Sequence, residues 1–303
     1  MIVYNILFLI QYFWFCQSSD HHRFSNPEFP ESHTVREKKH TISSYITSGA
    51  CKHFYFDMGT NIGVQLRKLY EPHYFNGKQK GSVLPFFEKY FGENRRQVCA
   101  IGFEPNRKHT SDLSLLQNKY QAAGFPLVIF TEVALSWKQE DLTFYPDPKA
   151  KKLQHEWGAS LINWKHYSPS TDGSYNVSTI EAGRFYRHIM SAWDRSPDSK
   201  VLAKMDIEGY EYLVLPNIIN HGALCLFDLM FIEWHDHMLK MPQFDQLPFP
   251  NSKNMTAMMN YMVSNTPRCP FQISELDDET YFAIDVDEFP WPNATNNDSI
   301  LKG

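Results

Sequence analysis

The residues that could do chemistry in this chain follow apolar runs typical of buried strands. The first run leads into Asp57, which is followed by Gly59 and Gly63 with Asn61 between them. Glycines at a strand-to-helix turn let backbone amides approach a ligand closely, and a helix N-terminus favours an anionic group. We therefore predict a binding loop in which Asp57 binds a cationic amine or orients the loop. The simpler alternative is that Asp57 only caps a helix.

A second apolar run ends in Glu104, which is followed by Pro105 and Asn106. A carboxylate at a strand end can accept two hydrogen bonds from a ribose diol. A dinucleotide is disfavoured, because the Gly-x-Gly-x-x-Gly fingerprint is absent. In addition, Glu104 follows the glycine turn by about 40 residues, where a dinucleotide site has its acid about 20 residues on.

Two further runs end in groups suited to proton transfer. Asp206 and Glu208 follow one run, and His235 closes another. We predict that Asp206 or His235 is a general base, since the ordinary imidazole pKa of about 6.5 suits neutral pH, and that Glu208 orients the substrate. Asp206 and Glu208 could also bind a metal, but the Asp-x-Glu pattern is too common to predict one.

Alternating strand and helix patterns surround these residues. Segments that are apolar on both faces predict parallel strands at His53–Met58, Val98–Phe103, Leu127–Phe130, Val201–Asp206 and Asp228–Trp234. Helices are predicted between and after them, at Gly63–Tyr70, Pro85–Phe91, Lys108–Ala123, Glu181–Trp193, Tyr210–Asn220 and Ser252–Ser264. The predicted fold class is α/β, a doubly wound, mostly parallel Rossmann-like sheet. A C-terminal antiparallel hairpin is predicted from Phe271–Glu275 and Tyr281–Asp285.

These motifs together resemble the FkbM-type S-adenosylmethionine-dependent methyltransferases. The segment Val201–Glu211 is similar to the family's fourth strand, with its lysine, acid, acid-glycine-x-glutamate pattern. Other segments match in the same order: Asp57–Gly63, Gly102–Asn106, Ala134–Ser136 with Leu142–Tyr145, and Phe231–His235. The resemblance implies the class I methyltransferase architecture and O-methylation. It also implies S-adenosylmethionine as the cofactor, bound by Asp57, Gly59, Asn61, Gly63, Glu104 and Asn106.

The chain departs from the compact family pattern in three places. Residues 71–97 lengthen one connection, residues 146–180 insert an aromatic-rich loop, and residues 251–303 extend the C-terminus. Loops of this kind set substrate specificity. We predict that Glu156–Ser160 covers the site, because Trp157 offers a face to a sugar or a sulfonium, although this segment could equally be an anchor for a surface loop.

The N-terminus predicts three regions. Residues 1–19 are apolar and short for a spanning helix, which favours a cleaved signal peptide over a type II membrane anchor. Residues 20–49 are predicted to be a flexible stem, and residues 50–303 a single methyltransferase domain. The formal net charge of −5 and the lack of a dense Lys/Arg run disfavour nucleic acid as a partner. Membrane contact is expected only if the N-terminal segment stays uncleaved.

Cysteines and sequons bear on the compartment. Without Cys16, four cysteines remain, a number that suits two disulfides and four buried thiols equally. Cys51 precedes the first strand and Cys99 opens the second, so these two should meet at one sheet edge, as should Cys225 and Cys269, which precede the fifth and sixth strands. The predicted disulfides are therefore Cys51–Cys99 and Cys225–Cys269. Glycosylation sequons begin at Asn176, Asn254, Asn293 and Asn297. Together with the N-terminal segment they favour secretion or the Golgi or ER lumen.

The expected function is O-methylation of a hydroxyl group on a glycan, or on a small molecule, in the secretory pathway. Two alternatives stay open at this point. A protein N-methyltransferase would use the same cofactor site with a channel for lysine or arginine. A catalytically inactive secreted module would keep the fold, although Asp57, Glu104 and Asp206 together argue against it.

Overall fold

Parallel strands form the centre of the structure, a computed structural model that describes residues 31–75, 82–147, 158–163, 173–241, 244, 251–276 and 278. The strands are β1 (His53–Met58), β2 (Val98–Glu104), β3 (Leu127–Thr131), β4 (Val133–Ser136), β5 (Asp141–Phe144), β6 (Tyr175–Glu181), β7 (Val201–Met205), β8 (Leu229–Ile232) and β9 (Gln272–Glu275). Six of them form one sheet in the order β3-β2-β1-β7-β8-β9, with every neighbouring pair parallel. The strand order reverses beside β1, and open α/β sheets bind ligands at such a switch point.

Both faces of this sheet are buried, which explains why its strands are apolar at consecutive positions. Every residue of β1 and β2 is buried. On one face Phe54 packs edge-on against Trp193, whereas on the other face Tyr55 packs against Phe87. The predicted doubly wound fold is thereby confirmed.

Helices cover the two faces. They are α1 (His33–Thr47), α2 (Val64–Tyr70), α3 (Leu84–Phe91), α4 (Thr110–Ala122), α5 (Ala182–Ser191), α6 (Glu211–Asn220) and α7 (Ser252–Asn265). The helices predicted from the sequence correspond to α2 through α7, with ends that shift by one or two residues. A short 3-10 turn, Arg107–His109, precedes α4, and the Asn106 side chain caps it by accepting a hydrogen bond from the Lys108 backbone N–H.

Helix α1 corrects the prediction of a flexible stem over residues 20–49. Ser32 caps its N-terminus, and Val35 and Ile42 are buried in the core. These two residues are two helical turns apart and so lie on one face. On the same helix Lys38 donates a hydrogen bond to the backbone oxygen of Ile129 in β3. The ordered domain therefore begins before residue 50, while residues 1–30 lie outside the described part of the chain.

A second, smaller sheet includes the end of the predicted loop insertion. Its order is β4-β6-β5, with β6 parallel to β4 and antiparallel to β5. The segment 146–180 is therefore not a loop throughout, because its last residues form β6. This sheet places Phe144 and Ala134 in a small apolar cluster beside the main core.

The predicted C-terminal hairpin is tested only in its first half. Strand β9 lies beside β8 and parallel to it, as a sixth strand of the main sheet. The second predicted strand, Tyr281–Asp285, lies outside the described residues.

Both predicted disulfides are present. Cys51–Cys99 and Cys225–Cys269 have Cα separations of 5.1 Å and 4.9 Å, within the usual range. Each joins the amino ends of two neighbouring parallel strands, and such bridges fit an oxidising environment. Within the described residues, no helix combines the length and the apolar character needed to cross a bilayer.

Candidate active site

The binding loop after β1 passes very close to the end of β7. Gly59 has a φ of +85°, and a Cβ placed there would lie 1.8 Å from the backbone oxygen of Asp206. A side chain would also strain this left-handed conformation. Gly63, with a φ of +84°, lets α2 pack against Leu116, to which a Cβ would come within 2.6 Å. The two glycines thus serve close packing of the loop.

Glu104 lies at the end of β2 and holds the loop. Its two carboxylate oxygens accept hydrogen bonds from the backbone N–H groups of Asn61, at 2.5 Å, and Asn106, at 2.8 Å. Burial raises the pKa of Glu104 to about 7, against the lowering effect of these two N–H donors. Each oxygen keeps a second lone pair, so Glu104 can still accept hydroxyl groups of a ligand.

Asp57 lies beneath the loop, and this corrects one of its two predicted roles. Its side chain is fully buried, does not line the cavity described below, and accepts a hydrogen bond from the Tyr55 hydroxyl at 3.3 Å. Burial raises its pKa to about 7, although the Lys204 ammonium opposes this effect. Direct binding of a cationic amine is therefore disfavoured. The Thr60 hydroxyl donates to the backbone oxygen of Asp57 at 3.0 Å, and orientation of the loop by the Asp57 carboxylate stays a prediction.

A group of acids and one histidine, here called the strand-end cluster, comprises Asp206, Glu208, Glu233 and His235. Asp206 and Glu208 belong to the turn between β7 and α6, and Glu233 and His235 follow β8. The His235 Nε2 atom lies 3.9 Å from Asp206 Oδ1, 3.5 Å from Glu208 Oε2 and 3.7 Å from Glu233 Oε1. The structure therefore brings together the three residues predicted to act in catalysis.

Two residues that the sequence analysis did not assign to the site support this cluster. The Lys204 Nζ atom lies 2.5 Å from Asp206 Oδ2, and the fully buried Glu211 accepts a hydrogen bond from His235 Nδ1 at 3.1 Å. The sequence contained a signal for Lys204, which is a lysine within an apolar strand. A buried ammonium needs an anionic partner. Glu211 lay within the family motif, but its partner is 24 residues away in the sequence.

These contacts set the charges of the cluster. Burial alone would raise the pKa of Asp206, but the neighbouring Lys204 ammonium lowers this pKa below its ordinary value. Burial raises the pKa of Glu208 to about 8, and the neighbouring carboxylates act in the same direction. For His235, burial lowers the pKa, but the carboxylates of Glu211, Glu208 and Asp206 outweigh it and raise the pKa to about 10.

The surroundings of His235 contradict the reason for which it was predicted to be a general base. That prediction used the ordinary imidazole pKa, whereas the buried ring here lies among carboxylates and holds a proton at neutral pH. His235 also does not line the cavity. Asp206 and Glu208 do line it and are better placed to meet a substrate.

The binding loop and the strand-end cluster share one cavity. It contains about 1020 Å³ of space, its open mouth included. Gly59, Asn61, Glu104 and Asn106 line one part, and Asp206, Glu208 and Glu233 line another. Leu135, Phe144 and Leu161 add apolar surface. A carboxylate able to accept hydroxyl groups, next to apolar side chains, suits a nucleoside.

The segment Glu156–Ser160, which was predicted to cover the site, is described from residue 158 onward, and this part reaches the cavity. Ala159 and Ser160 line the cavity, and the Ser160 hydroxyl donates to the backbone oxygen of Glu208 at 2.7 Å. Ser160 also pairs with Tyr145 through two backbone hydrogen bonds. Glu156 and Trp157 lie outside the described residues, so the predicted role of the Trp157 ring stays a prediction.

A parallel sheet with this strand order, and with its cavity at the carboxyl ends of β1, β2 and β7, defines an α/β protein of the Rossmann-like class. Residues 57–272 match the sequence model of the methyltransferase FkbM domain, and the chain belongs to this family. No curated protein and no solved structure matches the chain significantly. The family defines the protein as a methyltransferase, and methyltransferases generally take the methyl group from S-adenosylmethionine.

Proposed function

We propose that this protein transfers a methyl group from S-adenosylmethionine to a hydroxyl group of a sugar on a glycan of the secretory pathway. The observation that carries the proposal is the shared cavity, in which the binding loop and Glu104 lie beside the carboxylates of Asp206, Glu208 and Glu233. A donor and an acceptor bound in one cavity are held close, and positioning of this kind supplies much of the rate of a transfer reaction.

The residues divide into two groups. Gly59, Asn61, Glu104 and Asn106 would hold the cofactor, with Glu104 accepting hydrogen bonds from its ribose. When bound there, S-adenosylmethionine supplies an activated methyl group on a positively charged sulfur. Asp206, Glu208 and Glu233, which line the other part of the cavity, would hold the acceptor hydroxyl group, and an ionised carboxylate among them would accept its proton.

The secretory compartment is supported by separate features. The two disulfides fit an oxidising lumen. The sequon residues Asn176 and Asn254 are both exposed, as glycan attachment requires. Residues 1–19 supply the expected signal peptide. Protein made in a secretory host should lose these residues and should decrease in mass after glycosidase treatment. An intact product of unchanged mass would reject this compartment.

The activity is tested in two stages. S-adenosylhomocysteine, the product form of the cofactor, is titrated by calorimetry, and transfer of a labelled methyl group is then followed on a panel of glycans. A panel of lysine and arginine peptides is run beside it, because an acidic cluster also suits a cationic acceptor. Transfer to glycans supports the proposal, and transfer only to peptides identifies a protein N-methyltransferase instead. Binding without transfer to either panel rejects the proposed reaction.

A pair of isosteric variants isolates the role of the cluster. Glu208→Gln should reduce transfer by about 100-fold or more while leaving S-adenosylhomocysteine binding nearly unchanged. Glu275→Gln is the matched control, because Glu275 lies at the end of a strand of the same sheet, is exposed and does not line the cavity. Equal activity of the two variants would remove Glu208 from the reaction.

A further inference from the structure

The nitrogen of His235 that faces the strand-end cluster has an unusual environment. His235 is only 6% exposed, and its Nε2 atom is surrounded by oxygens of Asp206, Glu208 and Glu233 at 3.5–3.9 Å. Hydrogen bonds between nitrogen and oxygen are about 2.7–3.2 Å long, so none of these contacts is one. A buried ring nitrogen thus points at three carboxylates without a hydrogen bond to any of them.

These separations are close to those of atoms that share a metal ion. Ligands about 2.0–2.2 Å from a tetrahedral metal lie about 3.3–3.6 Å apart. The distance of 3.5 Å from His235 Nε2 to Glu208 Oε2 falls in this range, and the distance of 3.9 Å to Asp206 Oδ1 is about 0.3 Å longer. One ligand atom from each of Asp206, Glu208 and His235 lies within 4.8 Å of the others.

The other ring nitrogen of His235 is held as in many metal sites. Its Nδ1 atom lies 3.1 Å from an oxygen of the fully buried Glu211. Metal-binding histidines commonly donate their second N–H to a carboxylate in this way, which fixes the ring and leaves the first nitrogen for the metal. The same Glu211 oxygen accepts the backbone N–H of Ile207 at 2.8 Å, so Glu211 is itself fixed to the turn that carries Asp206 and Glu208.

Charge favours a cation at this place. Three carboxyl groups of the strand-end cluster and that of Glu211 surround His235, and the positive charges beside them are the Lys204 ammonium and the His235 ring, whose Nε2 proton a metal would displace. Buried carboxylates need compensating positive charge. The Lys204 ammonium bonds to one oxygen of Asp206, Oδ2, whereas His235 lies nearest to the other oxygen, Oδ1.

We infer that Asp206, Glu208 and His235 bind one divalent metal ion at the edge of the cavity. A mixed set of carboxylate and imidazole ligands suits a transition metal such as Mn²⁺ or Zn²⁺ better than Mg²⁺ or Ca²⁺, which prefer oxygen alone. Its role rests on the proposed function. The metal would bind the oxygen of the acceptor hydroxyl and make its proton more acidic, and the proton would pass to Glu233, which lines the same cavity.

The test measures metal binding without cofactor or acceptor, so that its failure is separate from failure of the proposed reaction. The full-length protein is treated with a chelator and dialysed, and Mn²⁺ is titrated while free Mn²⁺ is measured by electron paramagnetic resonance. Competition with Zn²⁺, Mg²⁺ and Ca²⁺ then ranks the metals. We expect one Mn²⁺ per chain, displaced by Zn²⁺ at lower concentrations than by Mg²⁺ or Ca²⁺.

Variants locate the ion. Glu208→Gln and His235→Gln should each weaken Mn²⁺ binding by about tenfold or more, and Glu211→Gln, which changes only the residue that positions His235, by about 10- to 100-fold. His221→Gln is the matched control. The Nε2 atom of His221 lies 2.7 Å from Oε1 of Glu181, and His221 does not line the cavity. Thermal unfolding of each variant in chelator shows that it is folded.

Several outcomes would overturn the inference. It fails if the chain binds no stoichiometric Mn²⁺ or Zn²⁺, or if binding is unchanged in both Glu208→Gln and His235→Gln. A loss of binding in His221→Gln equal to that in His235→Gln would also reject it. If the ion binds as expected but chelation leaves methyl transfer unchanged, the site is upheld and its assigned role in the reaction is rejected.

Discussion

Replacing Gly59 by alanine tests the close approach of the binding loop to the end of β7. The Cβ of the variant would lie 1.8 Å from the Asp206 backbone oxygen, whereas real Cβ contacts are not shorter than 3.0 Å. The strand end must therefore move by about 1 Å. Gly49→Ala is the matched control, since Gly49 also has a positive φ, +76°, but a Cβ there would meet nothing within 4 Å.

Both variants should lose stability because alanine disfavours the left-handed conformation, and Gly59→Ala should lose more because its Cβ overlaps the Asp206 backbone. A left-handed alanine costs about 1–2 kcal/mol, and this applies to both. The overlap adds about 1–3 kcal/mol at Gly59 alone, as for other overpacked sites. Urea unfolding with the disulfides intact should thus show a loss of about 1–2 kcal/mol for Gly49→Ala and about 2–5 kcal/mol for Gly59→Ala. A shift of 1 Å in a catalytic group can cost about 100-fold in rate, so Gly59→Ala should also lose most methyl transfer.

A Gly59→Ala variant as stable as Gly49→Ala would show that the overlap with the Asp206 backbone does not exist. Equal affinities of both variants for S-adenosylhomocysteine, with full methyl transfer, would mean that the loop does not position the cofactor.

Three further predictions follow from other contacts. Glu104→Gln should weaken S-adenosylhomocysteine binding by about 10- to 150-fold, the equivalent of 1.5–3 kcal/mol. The difference in affinity between the wild type and Glu104→Gln should narrow below pH 7, because the wild-type carboxyl group, with its pKa raised to about 7, is neutral there. Calorimetry at pH 6 and pH 8 compares the two proteins. Peptide mapping without reductant should recover Cys51 linked to Cys99, and replacing both by serine should lower the free energy of unfolding by about 2–5 kcal/mol, whereas free thiols at both positions would disprove the bridge. Lys68→Met leaves the fully buried Asp278 without its 2.8 Å ion pair and should cost about 3–5 kcal/mol in urea unfolding; the double variant with Asp278→Leu should regain part of this loss, and no regain would contradict the pairing.

The buried strands of the main sheet could be predicted because they are apolar on both faces. The acids also follow from this pattern. Parallel strands end at one edge of the sheet, so Glu104, the last residue of β2, and Asp206, the first residue after β7, were expected to lie near the loop after β1. The disulfides follow from the same argument at the opposite edge.

Other features depend on contacts between residues far apart in the sequence. Helix α1 has only a sparse apolar pattern, and its partner is β3, about 90 residues further on. The charge of His235 depends on Glu211, which lies on another element. A strand-end position also does not say on which side a side chain lies, so Asp57, buried beneath the loop, could not be distinguished from Glu104, which reaches the cavity.

The two disulfides have a consequence for how fast the chain folds. Parallel pairing of β1 with β2 and of β8 with β9 requires contacts between residues more than 40 positions apart, and such nonlocal pairing is slow. Each bridge, once formed, keeps the starts of its two strands together even in an unfolded chain. The search for the correct strand register then begins from neighbouring positions, such as Phe54 opposite Cys99. An oxidising compartment would therefore shorten the folding search as well as stabilise its product.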